Sequence, residues 1–332
     1  MDHGRLDHLA HLLGPLVRRR EPLAPRCTYK VGGPAELFAT IERAEQLEAV
    51  ATALAEVDGA AVVGGPGNGA DPGPGSGEVP VLVLGRGSNL LVADRGFPGL
   101  VVQLGEPFAG VDLDASGGRL RLGAAALLPV AARRSAGGSL AGFEWAVGVP
   151  GSVGGAVRMN AGGHGADMAA SLVRVRVVDL RTGEDERVAA ADLDLTYRHS
   201  SVRDDQVVVD ADLRLDAGDP GAGEAEMSEI VRWRREHQPG GQNAGSVFTN
   251  PDGDSAGRLS EVAGCRGLRL GSAQVSHKHA NFIQADPGGS ADDVFALMVQ
   301  VARRVQGAVG VRLRPETRLV GFPPFADAVA GS

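Results

Sequence analysis

A glycine-rich run, GVPGSVGGAVRMNAGGHGAD at residues 148–167, constrains the fold of this chain more than any other feature. Seven glycines fall between positions 148 and 165, and they stand among valine, proline and asparagine. Such a run exposes many backbone amides and few bulky side chains. It therefore suits a pyrophosphate group, which takes several N–H donors. A plain tight loop is the alternative, because glycine often does no more than mark a turn.

A second turn, GRGSNLL at 85–91, directly follows the apolar strand predicted at 81–84. Gly85 and Gly87 let the backbone approach a ligand closely, and Ser88 and Asn89 add side-chain donors. An ordinary hairpin turn would use glycine in the same way. If a dinucleotide binds here, a Rossmann unit does not hold it, because no GxGxxG motif follows a strand. The nearest match, GPGNGA, lies in the Gly/Pro-rich segment 58–80, which we interpret as a flexible surface loop.

Length and composition exclude several classes of protein. A chain of 332 residues can form two or three domains, and it contains no uncharged apolar run of 18 residues that could span a membrane. The basic cluster at the N-terminus follows the apolar stretch, the reverse of a secretory signal, so we expect a cytoplasmic protein. Two cysteines form neither a disulfide framework nor a metal-ligand spacing. The net charge of −8 argues against a nucleic-acid surface.

The spacing of apolar residues predicts strands and helices in mixed order, which is typical of an α+β fold. We find no internal repeat. The predicted helices cover residues 5–19, 44–57, 128–136, 225–237 and 292–307. The clearest predicted strands cover residues 35–41, 81–84, 100–104 and 311–320.

Three short segments combine a polar candidate with apolar or turn residues that would fix it: YRHS at 197–200, NAGSVFTNP at 243–251 and RPETR at 314–318. An arginine can bind a carboxylate through two parallel hydrogen bonds. A serine hydroxyl can pass a proton, and a glutamate with a raised pKa can donate one. Taken singly, each residue is more often structural: an exposed arginine, a capping serine or a surface glutamate.

Seven runs, taken in order along the chain, resemble one known family and cover most of residues 28–322. On these motifs the chain resembles the UDP-N-acetylenolpyruvoylglucosamine reductases, flavoenzymes of peptidoglycan synthesis. Seven ordered motifs are far more specific than any one of them. The runs are TYKVGGPAE, LGRGSNLLVADRGFPGLVV, GFEWAVGVPGSVGGAVRMNAGGHG, TYRHSSVR, NAGSVFTNP, EVAGCRGLRLGSAQVSHKHANFI and GVRLRPETRLVGF.

The resemblance implies an α+β fold of the FAD-binding type seen in p-cresol methylhydroxylase and vanillyl-alcohol oxidase, with an additional α/β substrate domain. It implies one FAD-binding subdomain over residues 1–105 and a second over 106–218. A substrate-binding domain with a closing C-terminal strand would cover 224–323. This architecture explains why the Rossmann motif is missing.

The resemblance also implies the ligands: non-covalent FAD, NADPH as reductant, and UDP-N-acetylglucosamine enolpyruvate as substrate. The implied FAD-binding residues come from the two glycine-containing runs, and the implied catalytic and substrate-binding residues come from the later motifs. For FAD they are Gly85, Arg86, Gly87, Ser88, Asn89, Leu90, Gly148, Pro150, Gly151, Ser152, Gly154, Gly155, Asn160 and Gly165. For catalysis they are Arg198, Ser246 and Glu316, and for substrate Tyr197, Asn250, Lys278 and His279.

The implied mechanism divides the reduction among these residues. Hydride reaches the methylene carbon of the enolpyruvyl group, and negative charge then builds on its carboxylate and C2. Arg198 and Glu316 would stabilise that charge. Ser246 would give the proton to C2.

Several positions depart from the family pattern. Thr249 stands where the family often has lysine, which removes one phosphate contact unless a neighbouring arginine supplies it. His164 stands where the family usually has tyrosine, and we expect a packing change beside the flavin. His277 and His279 have no third ligand at a suitable spacing, so we predict no metal site.

One subtype of the family closes its site with a tyrosine-bearing loop between the arginine and serine motifs. Here Arg198 and Ser246 lie 48 positions apart, and the only tyrosines are Tyr29 and Tyr197. The chain therefore resembles the shorter type that lacks this loop.

Two other functions stay open at this point. A different flavin oxidoreductase of the same fold, such as a sugar or lactone oxidase, would keep residues 85–90 and 148–165 but would not need Ser246. A non-catalytic nucleotide-sugar-binding paralogue would show neither flavin colour nor NADPH turnover. Whichever function applies, we expect a monomer that binds neither nucleic acid nor membrane.

Overall fold

The computed structural model describes residues 3–59 and 78–331. Most of the segment interpreted as a flexible loop, residues 60–77, lies outside this part of the chain. The helices are α1 (His3–Leu13), α2 (Glu45–Asp58), α3 (Leu128–Gly137), α4 (Val153–Arg158), α5 (Pro220–His237), α6 (Ala256–Val262), α7 (Ala291–Val309) and α8 (Phe325–Ala330). The strands are β1 (Val17–Pro22), β2 (Pro34–Ile41), β3 (Val81–Val83), β4 (Leu90–Val92), β5 (Phe97–Leu104), β6 (Val111–Asp114), β7 (Arg119–Gly123), β8 (Leu140–Ala141), β9 (Gly162–Gly163), β10 (Ala166–Asp167), β11 (Leu172–Asp179), β12 (Asp185–Ala189), β13 (Gln206–Arg214), β14 (Asp216–Ala217), β15 (Arg269–Leu270), β16 (Ala273–Val275), β17 (Ile283–Ala285) and β18 (Arg318–Val320).

The chain divides into two compact units. The first comprises Met1–Arg19, Glu36–Gly85 and Pro98–Arg232, and the second comprises Arg20–Ala35, Arg86–Phe97 and Trp233–Ser332. This mixture of helices and short strands confirms the predicted α+β class. The three-domain division at 1–105, 106–218 and 224–323 stays a prediction.

The first unit contains most of a four-stranded sheet with the order β1-β2-β5-β3 and all of a five-stranded sheet with the order β12-β11-β13-β7-β6. The five-stranded sheet is antiparallel throughout. Two hydrophobic clusters fill this unit: α1 and α2 pack on the four-stranded sheet, and α3 and α4 contribute to the cluster under the five-stranded sheet. The 148–165 run belongs wholly to this unit.

The second unit is built on a single hydrophobic cluster, to which α6, α7 and the sheet β15-β16-β17 contribute. Buried residues of α7 recur every three or four positions, from Val294 to Val305, so one face of this helix forms core. Ser290 caps its first turn by accepting the Asp293 N–H, and Gly310 ends it in the left-handed conformation. A parallel pair, β4 with β18, places the GRGSN turn beside the RPETR segment.

The structure corrects several predicted boundaries. The helix predicted over 5–19 ends at Leu13, because Gly14 has a φ of +50° and Pro15 follows it, and Val17–Pro22 is a strand. The closing strand predicted over 311–320 is only Arg318–Val320. Helix α5 starts at Pro220, before the predicted residue 225, and α8 was not predicted. None of the helices in the described ranges is long and apolar enough to cross a membrane.

Candidate functional site

Gly85, the first glycine of the GRGSN turn, is the point at which the two glycine-containing runs meet. A Cβ atom at Gly85 would lie 2.6 Å from the Ser152 hydroxyl oxygen, so a larger residue there would require the Ser152 side chain to move. The Gly85 carbonyl accepts a hydrogen bond from the Gln103 side chain over 2.8 Å. Gly85 and Ser152, implied together for FAD, are thus close to one another in the first unit.

The rest of this turn belongs to the second unit. Gly87 is held at a φ of +57°, and a Cβ there would lie 2.6 Å from the Arg26 carbonyl oxygen, so both conformation and space require glycine. The Asn89 side chain donates to the Glu316 carbonyl over 3.0 Å, and the Asn89 carbonyl accepts from the Arg318 N–H. Asn89 therefore fixes the turn to the segment that carries Glu316.

The 148–165 run has a packed half and an open half. In the packed half, the Leu128 N–H donates to the Gly151 carbonyl, and Gly154 packs so closely that a Cβ there would lie 3.0 Å from the Ala124 Cβ. In the open half, a Cβ at Gly163 or Gly165 would meet no atom within 4 Å. A backbone that is firmly held on one side and open on the other suits a ligand with many acceptors.

The glycine positions provide the test of whether a cofactor fits here. The backbones of Gly163 and Gly165 are open, and a Cβ at Gly85 would fill space next to Ser152. The residues present therefore fit a bound phosphate-containing cofactor such as FAD.

The other implied FAD residues differ in exposure. Ser152, Gly148 and Gly151 are buried, and Leu90 is buried in β4. Arg86, Pro150, Gly155 and Gly165 are exposed, and Ser88 is half-buried. Their contacts with FAD stay predictions.

Asn160 is buried and serves the fold of the first unit directly. Its amide nitrogen donates to the Asp167 carboxylate over 3.1 Å and to the Thr196 carbonyl over 3.0 Å. Its side-chain oxygen accepts from the Ala169 N–H over 3.0 Å. The amide thus joins the glycine run to the turn that contains Arg198.

Arg198 lies in a tight turn between Thr196 and His199, whose backbones exchange two hydrogen bonds. Its φ of +58° is in the left-handed region, which an arginine rarely adopts. The guanidinium donates to the Gly162 carbonyl over 3.2 Å and stacks on the exposed Tyr197 ring, 5.1 Å from its centroid. Backbone strain of this kind collects at functional sites.

Ser246 and Glu316 are joined in the second unit by a short antiparallel pairing. The Glu316 N–H donates to the Val247 carbonyl over 2.9 Å, and the Thr249 N–H donates to the Arg314 carbonyl over 3.0 Å. Ser246 is half-buried, and its hydroxyl finds no hydrogen-bond partner within residues 3–59 and 78–331. Two of the three implied catalytic residues are thus brought together. Arg198 lies in the other unit.

The three substrate candidates of the second unit each have a structural contact. The Asn250 side-chain oxygen accepts from the Ala256 N–H at the start of α6, over 3.1 Å. The Lys278 ammonium donates to the Arg235 carbonyl in the last turn of α5. The Nδ1 of His279 accepts from the Asn281 N–H over 3.2 Å, so neutral His279 carries its proton on Nε2.

Burial lowers the pKa of His279 and is the largest influence on it. Arg266 lowers this pKa further, and Glu261 opposes both effects. His279 is therefore biased towards the neutral imidazole.

Thr249 and His164, the two departures from the family pattern, both have defined positions. The Thr249 backbone pairs with that of Arg314, an exposed arginine that is thus a neighbour of Thr249. His164 has a φ of +54° at the open end of the glycine run. Groups of three or more metal-ligating side chains are not found in the described part of the chain.

Two family models match the chain. The model for an FAD binding domain matches residues 76–189, which contain both glycine runs. The model for the UDP-N-acetylenolpyruvoylglucosamine reductase C-terminal domain matches residues 237–320, which contain Ser246 and Glu316. The predicted FAD cofactor is thereby confirmed.

Individual relatives extend this similarity over nearly the whole chain. The UDP-N-acetylenolpyruvoylglucosamine reductase of Sphingopyxis alaskensis is 41% identical over 90% of this chain and 93% of its own length. That of Rubrobacter xylanophilus is 40% identical over 96% and 99%. The crystal structure of the reductase from Thermus caldophilus aligns with a TM-score of 0.73 and 33% identity, over 92% of this chain and 99% of that one.

Proposed function

This chain belongs to the UDP-N-acetylenolpyruvoylglucosamine reductase family, and from that premise we propose how its own residues reduce the enolpyruvyl group of UDP-N-acetylglucosamine enolpyruvate. The protein is an FAD-dependent oxidoreductase of peptidoglycan precursor synthesis, and NADPH is its reductant. The product is UDP-N-acetylmuramate, which carries a lactyl ether. We propose the cytoplasm as the compartment of the reaction, because enzymes of this family act there.

The two glycine runs would hold FAD, chiefly through backbone amides around Gly85, Gly87 and Gly165. The chemistry that bound FAD supplies is hydride transfer, from NADPH in one half-reaction and to the methylene carbon of the substrate in the other. The open side of the 148–165 run supports this assignment.

Arg198 and Glu316 would stabilise the charge that hydride addition creates. Addition of hydride to the methylene carbon places negative charge on C2 and the adjoining carboxylate. The Arg198 guanidinium can bind that carboxylate through two hydrogen bonds. Glu316, when its carboxyl group carries a proton, can donate a hydrogen bond to the same charge. The strained backbone at Arg198 is the observation that favours an active role for it.

Ser246 would supply the proton that completes the reduction. One hydride at the methylene carbon and one proton at C2 account for both hydrogens of the product. A neutral serine is a weak acid, and it can serve here because the carbanion at C2 is strongly basic. One observation carries this role: the Ser246 hydroxyl has no hydrogen-bond partner in the described residues, while the backbone next to it is paired with the segment of Glu316.

Four further residues would contact the substrate. Tyr197 is exposed beside Arg198 and could cover part of the sugar nucleotide. Asn250, Lys278 and His279 are carried by the second unit and would contact the diphosphate and the sugar. The 48-residue spacing between Arg198 and Ser246 leaves the shorter, loop-less subtype as our proposal.

The decisive test separates the two half-reactions. The purified protein should be yellow, NADPH should bleach its flavin without oxygen, and the enolpyruvyl nucleotide should then restore the colour. In Ser246→Ala, bleaching by NADPH should keep its wild-type rate, while reoxidation by substrate should slow by on the order of 10²-fold or more for a lost acid. Reoxidation at the wild-type rate would remove Ser246 from the mechanism.

The same experiment decides between the alternative functions. In a sugar or lactone oxidase, oxygen would reoxidise the reduced flavin quickly, and the enolpyruvyl nucleotide would not reoxidise it. A non-catalytic nucleotide-sugar binder would be colourless. The two matched family models and the coverage of the relatives favour the reductase over both.

A further inference from the structure

Asn281 lies two residues after His279 and holds the segment that carries Ser246. It is 2% exposed. Its amide nitrogen donates to the Phe248 carbonyl over 2.8 Å, and its side-chain oxygen accepts from the Phe248 N–H over 3.0 Å. One side chain thus satisfies both polar groups of a single backbone residue. A third bond runs from the Val247 N–H to the Asn281 carbonyl over 2.9 Å.

The opposite edge of the same segment is paired with the RPETR segment. There the Val247 carbonyl accepts from the Glu316 N–H, so the backbone at 247–248 is held from both sides. The side chains of Val247 and Phe248 are fully buried, which prevents the segment from sliding. The Ser246 hydroxyl, in contrast, has no hydrogen bond to the described residues, so its position depends on this backbone.

Asn281 is itself supported. Its N–H donates to the Nδ1 of His279, which is half-buried against Gly257 and packs edge-on against Phe282 with ring centroids 4.9 Å apart. The two bonds to Phe248 set the orientation of the amide, with its nitrogen towards the carbonyl and its oxygen towards the N–H. A side chain that needs both a donor and an acceptor in that orientation can only be an amide or a protonated carboxyl.

We propose that Asn281 is a positioning residue for Ser246: it acts on the proton-transfer step through the Phe248 backbone and touches no substrate. This inference rests on the proposed function of Ser246. Proton transfer needs the hydroxyl within hydrogen-bond reach of C2 when the negative charge forms. A displacement of about 1 Å in such a group can cost on the order of 10²-fold in rate.

The variant Asn281→Asp tests this with almost no change in shape. An ionised carboxylate accepts from the Phe248 N–H but repels the Phe248 carbonyl, whereas a protonated carboxyl again has one donor and one acceptor. At pH 8 we expect NADPH to reduce the flavin within about 2-fold of the wild-type rate, and substrate to reoxidise it on the order of 10- to 100-fold more slowly. The loss should lie in kcat rather than KM. Relative to wild type at each pH, reoxidation should recover as the pH is lowered.

Gln284→Glu provides the matched control. It makes the same amide-to-carboxylate change three residues further along the chain, where the amide donates to the Gly240 carbonyl over 2.8 Å. This variant should keep both half-reactions near their wild-type rates at pH 8. An equal slowing in both variants would overturn the proposal, because any added charge near the loop would then suffice.

The double variant Ser246→Ala/Asn281→Asp completes the test. If Asn281 acts only through Ser246, the double variant reoxidises at the rate of Ser246→Ala alone. A further multiplicative loss would show that Asn281 acts by another route and would overturn the proposal. Normal reoxidation in Ser246→Ala would instead remove the proposed function of the serine, so the two failures are distinguishable.

If Asn281→Asp does not fold with bound flavin, Asn281→Gln replaces it. Glutamine keeps both hydrogen-bonding groups but moves them by one methylene, so it displaces the Phe248 backbone without adding charge. Slow reoxidation with unchanged flavin reduction supports the proposal. Unchanged rates in both half-reactions contradict it.

Discussion

The turn that carries Arg198 and the segment pair that carries Ser246 and Glu316 hold their side chains in opposite ways. At Arg198 the backbone itself is strained, with positive φ values at Asn160, His164 and Arg198 within one hydrogen-bonded region. At Ser246 and Glu316 the φ values are ordinary, and paired backbone bonds set the geometry. The first region should therefore respond most to changes in backbone preference, and the second to loss of the side chain that clamps it.

The largest effect should come from Arg198→Asn, which uncouples activity from stability in the first region. Asparagine tolerates the left-handed conformation, so the change relieves strain while it removes the guanidinium. We expect reoxidation by substrate to fall by on the order of 10³-fold, as for a lost group that stabilises charge. The free energy of unfolding, measured with urea, should stay equal or rise by up to about 1 kcal/mol.

Arg198→Ala is the matched control. It loses the same guanidinium but keeps the strain, because alanine also disfavours a positive φ. Both variants should therefore lose activity equally, and the alanine variant should be less stable by roughly 1 kcal/mol. If alanine proves as stable as asparagine, the turn is not strained and the contrast between the two regions fails.

The next effect should be at Asn160, which supports the same turn from inside the first unit. Asn160→Ala removes three hydrogen bonds, to the Asp167 carboxylate, the Thr196 carbonyl and the Ala169 N–H. The Thr196 carbonyl keeps the His199 N–H as a donor. We expect a loss of about 3 kcal/mol in the free energy of unfolding, because each lost hydrogen bond costs about 1 kcal/mol. Equilibrium denaturation in urea measures it.

Glycine at the same position sharpens this prediction. In most buried sites glycine is less stable than alanine, because it has more freedom in the unfolded chain. At Asn160 the φ of +38° reverses the expected order, so Asn160→Gly should lose less stability than Asn160→Ala, by roughly 1 kcal/mol. If the glycine variant is instead less stable than the alanine variant, hydrogen bonds alone hold this region.

The sequence predicted the motifs of both regions but not the means by which each is held. The runs GSVF and PETR identify Ser246 and Glu316 because they resemble motifs of the family; from the residues alone, each was as easily structural. The Asn281 clamp joins residues 33 positions apart, so only the tertiary fold can reveal it, although Asn281 stood in the same run as Lys278 and His279. The left-handed backbone at Arg198 could not be predicted either, because the YRHS segment has no glycine to indicate a positive φ.

The errors in secondary structure have local causes. The leucine spacing over 5–19 continues past Gly14-Pro15, so it predicts a helix that is too long. These two residues end the helix at Leu13. The turn residues decide here, because proline cannot continue the hydrogen-bond ladder of a helix. The prediction of the last strand was wrong over its N-terminal part. Leu313 there is buried in the core but does not belong to a strand.

The smallest effect should be a pH dependence confined to the second region, through His279. Because burial lowers its pKa in the folded protein, the unfolded chain binds a proton more readily between that lowered value and the ordinary value near 6.5. Stability from His279 is therefore fully present above pH 6.5 and is lost as the pH falls through this window. Protonation would also place an N–H on Nδ1 against the Asn281 N–H, and so weaken support for the clamp.

His279→Gln should remove this part of the pH dependence. Between pH 7.5 and 5.5, the free energy of unfolding should fall more steeply in the wild type than in the variant, and the difference isolates His279 from the seven other histidines. The contacts of Asn160 do not involve His279, so they should be alike in both proteins. Parallel pH profiles for the two proteins would show that His279 keeps its ordinary proton affinity.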